Sequence, residues 1–209
     1  MNITLIGTGN MGSAFLKQLS AAGHQVRLTG RDLAKAQALA ADYPGATAYP
    51  ASQALGDSQV VILATAYADA KAALQSLGNL DGRVLIDISN PLTDDYMGLT
   101  LGHTTSAGEE IAKAFPGVEL VKGFNTLFAQ VLAAGAQFAD GQRAPVLLAS
   151  DSVRAKQSAA ALAQSLGFDV IDAGPLKNAR YLEPLAGLNI YLGYGAGRGT
   201  SIAPTWITR

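Results

Sequence analysis

The stretch "ITLIGTGNMG" near the start of the chain restricts the possible folds more than any other feature of the sequence. A short apolar run leads directly into a pattern of three glycines, Gly7, Gly9 and Gly12. Apolar residues with helical spacing follow this pattern. Glycine accepts backbone angles and close contacts that other residues avoid. The motif therefore predicts a buried strand, a tight turn and a helix packed closely on that strand.

Short apolar runs alternate with alanine-rich segments along most of the chain, which is typical of a parallel sheet covered by helices on both faces. We predict helices over 32–43 and 151–166, the second capped by Asp151. The alternation stops after "DAGPL". We therefore predict an α/β, doubly wound, mostly parallel domain over 1–172 and a short C-terminal helical cap over 173–209. The predicted strands are 2–6, 25–29, 46–49, 59–64, 83–87, 118–122, 145–149 and 168–172.

The composition excludes several classes of function. The chain contains no cysteine, which rules out disulfides and thiolate chemistry, and its two histidines, His24 and His103, are far apart, so we expect no metal site. The 15 basic and 16 acidic residues balance, so we expect no nucleic-acid partner. We see no signal peptide and no apolar run that could span a bilayer. These features predict a cytoplasmic protein that does not bind membranes.

The glycine pattern points to a dinucleotide. With a strand before it, a helix after it and a second strand at the proper distance, G-x-G-x-x-G is typical of a Rossmann-type fold. The free N–H groups at the start of the helix would face a pyrophosphate. A glycine turn that holds no ligand is the alternative. The predicted contacts are Gly7, Thr8, Gly9, Asn10, Met11 and Gly12.

The residues after the second predicted strand indicate which dinucleotide is bound. A site for NAD places an acid at this position, but here the chain has Thr29, Gly30 and Arg31. Arginine binds phosphate through its planar fork, and Lys35 adds a positive charge one helical turn later. We therefore predict NADP(H) as the cofactor. The alternative is that both cations belong to a solvated helix start, with Asp32 as a partner.

Further site residues are predicted where later strands end. The carboxyl ends of parallel strands meet at one edge of a sheet, so Ala64, Thr65 and Ala66 should line the nicotinamide-side ribose. Asn90 precedes a proline and is either a cofactor contact at this edge or only the end of its strand. Asn125 is a candidate for binding a carboxamide or a ring carbonyl of the substrate.

The segment "AGLNIYLGYGAGRG" (186–199) combines apolar side chains with a run of glycines. We predict that it folds back over the carboxyl edge and that Leu188 and Tyr191 form part of the substrate site. A flexible turn and a dimer contact are the alternatives.

We predict no catalytic acid or base. His103 lies in a polar loop and is expected at the surface, and the sequence shows no convincing pair of a lysine with an acid. Ser106 with Glu109 has the spacing of a capping box, which predicts a helix cap and not a nucleophile. Hydride transfer from a nicotinamide depends on positioning more than on proton transfer, so this composition is compatible with it.

Six stretches resemble the family of coenzyme F420-dependent NADP reductases and their bacterial relatives. They are "IGTGNMG", "GRDLAKA", "DISNPL", "TSAGEEIAKAFPG", "VKGFNT" and "DAGPLKNARYLEPLAGL". The resemblance covers nearly the whole chain, and the fold is also similar to the cytosolic domain of membrane ferric reductases. It implies that the glycine loop, Arg31 and Lys35 bind NADPH, that a deazaflavin or flavin accepts hydride, and that the protein is a homodimer. Asn125 stands where archaeal members tend to carry histidine.

Two other functions are considered. "IGTGNMG" also resembles pyrroline-5-carboxylate reductases and hydroxyacid dehydrogenases, which would make the chain an imine or keto-acid reductase. Those enzymes carry a large helical domain, for which few residues follow 172. A redox sensor that binds NADP without turnover is the third hypothesis.

Overall fold

The structure is a computed structural model that describes residues 1–206, and its strands and helices alternate as the sequence predicts. The strands are β1 (Asn2–Ile6), β2 (Gln25–Thr29), β3 (Ala46–Ala48), β4 (Val60–Leu63), β5 (Val84–Asp87), β6 (Glu119–Lys122), β7 (Pro145–Leu148) and β8 (Asp169–Asp172). The helices are α1 (Asn10–Ala21), α2 (Leu33–Ala41), α3 (Tyr67–Gln75), α4 (Ala107–Ala114), α5 (Ala129–Ala134), α6 (Val153–Ser165) and α7 (Ala179–Ile190). The predicted bounds of β1 and β2 are confirmed, and the other six strands are one or two residues shorter than predicted.

Six strands form a parallel sheet in the order β3-β2-β1-β4-β5-β6. The direction of winding reverses between β1 and β4, which leaves a crevice at the carboxyl ends of these strands. Both faces of the sheet are covered. Ile62 of β4 packs in a core cluster with Phe15 of α1, whereas the adjacent Val61 packs in a second cluster with Leu74 of α3. The α/β, doubly wound architecture is confirmed.

Strands β7 and β8 form a separate two-stranded parallel sheet. This sheet joins the main one through an antiparallel bridge between Lys122, the last residue of β6, and Ala149. The backbone N–H of each residue donates to the carbonyl oxygen of the other, at 2.9 and 3.0 Å. The bridge places the carboxyl end of β6 beside the segment that leads into α6.

Two helix starts can be compared with the sequence predictions. Helix α2 begins after Asp32, whose side chain accepts a hydrogen bond from the N–H of Lys35. Helix α6 is capped by Ser152, whose hydroxyl accepts from the N–H of Ala155, so the predicted cap at Asp151 is wrong. The carboxylate of Asp151 instead accepts from the N–H of Leu176 at 3.0 Å.

Helix α7 packs against the body of the fold and continues into a π-helical turn over Tyr191–Gly195. Its Leu182, Glu183 and Ala186 are buried. The last three residues of the predicted cap, 207–209, lie outside the described residues. Within residues 1–206, no helix combines the length and apolar character needed to cross a membrane.

Candidate functional site

Gly7 and Gly12 have no room for a side chain, because a backbone carbonyl oxygen lies too close to each of them. Gly7 has a φ of +125°, and a Cβ there would lie 2.2 Å from the carbonyl oxygen of Ala64. A Cβ at Gly12 would lie 2.0 Å from the carbonyl oxygen of Gly7. The close approach at Gly12 is therefore between helix α1 and the turn that precedes it.

Gly9 has no such contact. A Cβ built at Gly9 has no atom of residues 1–206 within 4 Å beyond its own chain neighbours. Gly9 is also the N-cap of α1, and its helix start receives no side-chain cap within the described chain. Open space beside uncapped N–H groups fits a pyrophosphate bound at a helix N-terminus.

The end of β2 is in direct contact with the glycine loop. The N–H of Gly7 donates to the carbonyl oxygen of Thr29 at 2.9 Å. A Cβ at Gly30 would come within 3.2 Å of the Thr8 methyl group, so Gly30 leaves room for the loop. The hydroxyl of Thr29 is buried and has no hydrogen-bond partner among the described residues. The predicted loop and the predicted strand end therefore form one surface.

Arg31 extends from this surface into solvent. Its side chain is 89% exposed, and Nη1 lies 3.4 Å from Oδ2 of Asp69, in the first turn of α3. The predicted alternative partner, Asp32, caps α2 instead, so that pairing is wrong. Lys35 is exposed one turn along α2. The Arg31 side chain thus reaches from the end of β2 towards the helix that follows β4.

Ala64, Thr65 and Ala66 complete the same edge. The N–H of Ala64 donates to the carbonyl oxygen of Ile6 at 2.8 Å, which holds the end of β4 against the end of β1. The hydroxyl of Thr65 is buried, and the structure of residues 1–206 offers it no hydrogen-bond partner. Ala66 is the N-cap of α3. Unpaired buried hydroxyls are uncommon in folded proteins and indicate a position for a ligand or water.

Asn90 and Asn125 lie together beyond β5 and β6. Asn90 Nδ2 donates to the backbone oxygen of Asn125 at 2.9 Å, and Asn125 Nδ2 donates to Asn90 Oδ1 at 3.0 Å and to the backbone oxygen of Leu182 at 3.0 Å. Backbone oxygens only accept, so both amide orientations are determined. Asn90 is half-buried and Asn125 is 5% exposed. Strand β5 ends at Asp87, so Asn90 is not its terminal residue.

The turn that places Asn125 contains a strained residue. Phe124 has a φ of +59°, a conformation that bulky side chains seldom adopt. Its ring is fully buried and lies 5.0 Å from the ring of Phe15 in an edge-to-face arrangement. This packing stabilises the turn and directs the following asparagine towards the end of β5.

A buried ion cluster lies behind the asparagine pair. Lys122 Nζ donates to Asp87 Oδ2 at 2.8 Å and to the carbonyl oxygen of Ser89 at 2.5 Å. It also lies 2.8 Å from Glu183 Oε1, on α7. The three charged side chains are at most 1% exposed. The prediction that the chain holds no convincing lysine–acid pair is therefore wrong.

The start of helix α4 supports Glu183. The backbone N–H groups of Ala107 and Gly108 donate to its carboxylate at 2.9 and 3.1 Å. A helix N-terminus carries a partial positive charge, which compensates the second carboxylate near Lys122. Burial by itself would lower the pKa of Lys122, but Asp87 and Glu183 outweigh it and hold that pKa above its ordinary value. Lys122 is therefore a cation at neutral pH.

The charges of this cluster affect the pKa of Tyr67, the first residue of α3. Burial and then the carboxylates of Glu110, Glu183 and Asp87 raise the pKa of Tyr67 above its ordinary value. The phenol is therefore protonated in neutral solution. Tyr67 is not among the residues predicted from the sequence, although it directly follows Ala66.

A signal for the ion cluster exists in the sequence. Strand β5 is apolar up to Asp87, and in β6 two apolar residues precede Lys122. Asp87 and Lys122 are register partners in the parallel sheet. Charged residues seldom lie inside a sheet covered on both faces unless they are paired. Aligning the two strands as neighbours would have identified this pair. Glu183 is distant in sequence, and only the three-dimensional structure brings it close.

The remaining predicted residues lie on or near α7. Leu188 is 54% exposed and Tyr191 is 51% exposed. Between them, Asn189 is buried and its Nδ2 donates to the carbonyl oxygen of Thr126 at 3.0 Å, next to Asn125. His103 is exposed, as expected.

This chain is similar in sequence and in structure to known proteins. A family model described as coenzyme F420-dependent NADP oxidoreductase matches residues 2–91. The matched part contains the glycine loop, Arg31 and Asn90. A crystal structure assigned to an F420-dependent NADP reductase from Arthrobacter sp. FB24 has a TM-score of 0.85 and 31% sequence identity, and the match covers 95% of this chain and 96% of that one.

This chain spans very different shares of three curated relatives. The F420-dependent NADP reductase of Methanothermobacter marburgensis is 29% identical, with 92% of both chains covered. The metalloreductase STEAP3 of Rattus norvegicus is 29% identical over 88% of this chain, which spans only 36% of the STEAP3 sequence. This chain also spans 20% of human STEAP2. From its close match to the Arthrobacter structure along nearly the full length of both chains, we conclude that the chain belongs to the coenzyme F420-dependent NADP oxidoreductase family.

Proposed function

We propose that this chain binds NADP(H) at the carboxyl edge of the main sheet and transfers hydride between the nicotinamide and a flat deazaflavin or flavin. The observation that carries the proposal is the open space at Gly9, beside an uncapped helix start and at the point where the sheet reverses its winding. In open α/β sheets this is where dinucleotides bind.

The cofactor would be held by residues that the structure brings together. The N–H groups of Asn10 and Met11 would donate to the pyrophosphate, and Arg31 would bind the 2′-phosphate with support from Lys35. The buried hydroxyl of Thr65 would serve the nicotinamide-side ribose, because it has no other partner within residues 1–206. The bound cofactor supplies the hydride, and the protein residues orient it.

The acceptor would lie against the exposed apolar side chains of Leu188 and Tyr191. Helix α7 is secured close to the edge of the sheet by the hydrogen bonds from Asn189 to Thr126 and from Asn125 to Leu182. The half-buried Asn90 would face the cofactor side, and Asn125 would hold it in place. Because Asn125 is buried, its predicted direct contact with a carboxamide stays a prediction.

In the proposed reaction, the main role of the side chains is to position the two rings. Hydride transfer needs two rings held parallel and close, with water excluded from between them. The Asn90–Asn125 pair and the apolar surface of α7 supply such a frame. Neither Tyr67 nor Lys122 is required to exchange a proton in this scheme.

A screen of NADPH oxidation tests the proposal. The wild-type chain is mixed with NADPH and, in separate reactions, a deazaflavin, riboflavin, FMN, FAD and a ferric chelate, and absorbance at the reduced-nicotinamide band is followed. We expect turnover with at least one of the flat ring acceptors. NADPH binding without oxidation in any reaction would overturn the enzymatic proposal and favour an NADP-binding sensor.

Turnover with the ferric chelate in the absence of any flavin would overturn the ring-acceptor part alone. That outcome would agree with the name of the STEAP relatives, which are metalloreductases. A parallel reaction with NADH tests the cofactor part, and equal rates with both dinucleotides would contradict it.

A further inference from the structure

We infer that Lys122 is a positioning residue for the proposed hydride transfer, acting through a closed ring of polar contacts that joins the end of the sheet to helix α7. The inference rests on the proposed function. Lys122 itself is fully buried, so it acts on the site only through the groups that it contacts.

The ring can be followed from atom to atom. Glu183 Oε1 lies 2.8 Å from Lys122 Nζ, which donates to the carbonyl oxygen of Ser89 at 2.5 Å. Ser89 is bonded to Asn90, whose side-chain amide donates to the backbone oxygen of Asn125 and accepts from Asn125 Nδ2. Asn125 Nδ2 then donates to the carbonyl oxygen of Leu182, the residue before Glu183. The ring therefore begins and ends on α7.

Asp87 restrains the part of the ring that contains Ser89 and Lys122. Its Oδ2 accepts from Lys122, while its Oδ1 accepts from both the N–H and the hydroxyl of Ser89, at 2.9 and 2.7 Å. The N–H and the carbonyl oxygen of Ser89, which belong to the peptide groups before and after it, thus both bind charged groups, and hydrogen bonds to charged groups are stronger than neutral ones. The segment leading into Asn90 has little freedom to move as a result.

The ring joins the two halves of the proposed site. Asn90 belongs to the cofactor side, and α7 carries Leu188 and Tyr191 on the acceptor side. Lys122 contacts both halves, through Ser89 and through Glu183. Its position sets the separation of the two halves, on which a hydride transfer rate depends steeply. The phosphate contacts lie elsewhere, at the glycine loop and Arg31, so cofactor affinity should not depend on Lys122.

The test uses stopped-flow mixing of the full chain, loaded with one equivalent of NADPH per binding site, with an excess of the acceptor found in the screen, and follows the oxidation of the bound NADPH. For Lys122→Met we expect NADPH affinity to stay within about twofold and the hydride-transfer rate constant to fall about tenfold or more, as misplacement of reacting groups does. The amplitude of the reaction reports the folded fraction, and the rate constant does not depend on it. A merely structural role would lower amplitude and melting temperature but leave the rate constant unchanged.

A second variant covers the case in which Lys122→Met does not fold, since it leaves two buried carboxylates unpaired. Glu183→Gln keeps the Lys122–Asp87 pair and retains an acceptor oxygen for the start of α4. It should lower the rate constant in the same direction. Wild-type rate constants in the folded variants would overturn the inference, whereas failure of the wild-type chain to oxidise NADPH at all would overturn the proposed function as well.

Arg180→Gln is the matched control. Arg180 also ties α7 to α4, through hydrogen bonds to Glu109 at 2.8 and 2.6 Å, but it contacts neither asparagine. Because this pair is partly exposed, its loss should change the rate constant by less than about twofold. A loss as large as that of Glu183→Gln would show that any weakening of α7 has the same effect, and the specific role of Lys122 would be rejected.

Discussion

Arg31 Nη1 lies 3.4 Å from Asp69 Oδ2, and this ion pair connects the end of β2 with the first turn of α3. The two side chains are 89% and 43% exposed. Pairs this exposed contribute at most about 1 kcal/mol to folding, so neither residue is needed for the fold. In the proposed complex, the 2′-phosphate of NADP(H) replaces Asp69 as the partner of Arg31.

Replacing Arg31 by alanine should weaken NADPH binding by about 1.5–3 kcal/mol, the usual size of a charge-assisted hydrogen bond. NADH binding should barely change, because NADH lacks the 2′-phosphate. Dissociation constants for both cofactors, measured by titration of nicotinamide fluorescence, check this. Lys35→Ala should have a smaller effect that fades with added salt. Equal losses for NADPH and NADH in Arg31→Ala would show that Arg31 does not bind the phosphate.

Replacing Asp69 by asparagine should strengthen NADPH binding. The carboxylate competes with the phosphate for Arg31 and repels it, and removing one exposed charge at such distances is worth up to about 1 kcal/mol. NADH affinity is the internal control and should stay the same. Weaker NADPH binding by this variant would mean that Asp69 orients Arg31 for the cofactor, contrary to the competition described above.

Replacing Leu188 by serine or Tyr191 by alanine should lower kcat/KM for the flat acceptor by about tenfold, the size expected for losing a ring contact of about 1.4 kcal/mol. NADPH affinity should be unchanged. Both residues are about half exposed, so their loss should cost little stability. Tyr181→Ala, on the same helix and 74% exposed, is the matched control.

The oligomeric state of these variants must be measured with their kinetics, by light scattering. A change in oligomeric state with normal kcat/KM would assign Leu188 and Tyr191 to an interface between subunits. Normal values of both quantities would remove the two residues from the proposed site.

The fold could be predicted from the sequence because its strands are short, apolar and separated by helices of clear periodicity. The pairing of Asp87 with Lys122 depends on the register of β5 with β6, which the apolar pattern of each strand does not give by itself. The cap of α6 was placed one residue too early because Asp151 and Ser152 are both good N-caps. Only the structure shows that Asp151 accepts from the N–H of Leu176.

The glycine loop has a stronger signal in the sequence than the side of the candidate site that lies on α7. A local motif determines the glycine loop, since Gly7, Gly9 and Gly12 lie within six consecutive residues at the start of α1. The acceptor side is assembled from segments far apart in the chain, such as Asn125 and α7. Contacts of this kind leave no periodic signal in a single sequence, and Glu183 was accordingly missed.

Stability should decrease below neutral pH because of His24. Burial first, and the N-terminal ammonium second, lower the pKa of His24 below 6.5 in the folded chain. The unfolded chain therefore binds a proton more readily, so the stability contributed by neutral His24 is complete above the unfolded pKa and is lost as the pH falls through the folded pKa. Urea unfolding at a series of pH values should show this decrease.

His24→Gln should reduce that dependence on pH. The ring of His24 forms hydrogen bonds with the hydroxyl of Ser165 at 2.8 Å and with the N-terminal nitrogen at 3.0 Å, so some stability should be lost at every pH. His103→Asn, at an exposed histidine with a φ of +59°, controls for the loss of one imidazole. An unchanged pH profile in His24→Gln would assign the decrease to other groups.

Gly9 and Gly12 should respond differently to an added side chain. Gly9 has a φ of −85°, which any residue adopts, and its Cβ would meet no atom of residues 1–206 within 4 Å, so Gly9→Val should fold normally. The valine would occupy the proposed pyrophosphate position and should abolish NADPH binding. Gly12→Val should lose both stability and binding, because its Cβ would lie 2.0 Å from the carbonyl oxygen of Gly7. Thermal unfolding combined with NADPH titration separates the two effects, and wild-type NADPH affinity in a folded Gly9→Val chain would refute the assignment of the glycine loop to the pyrophosphate.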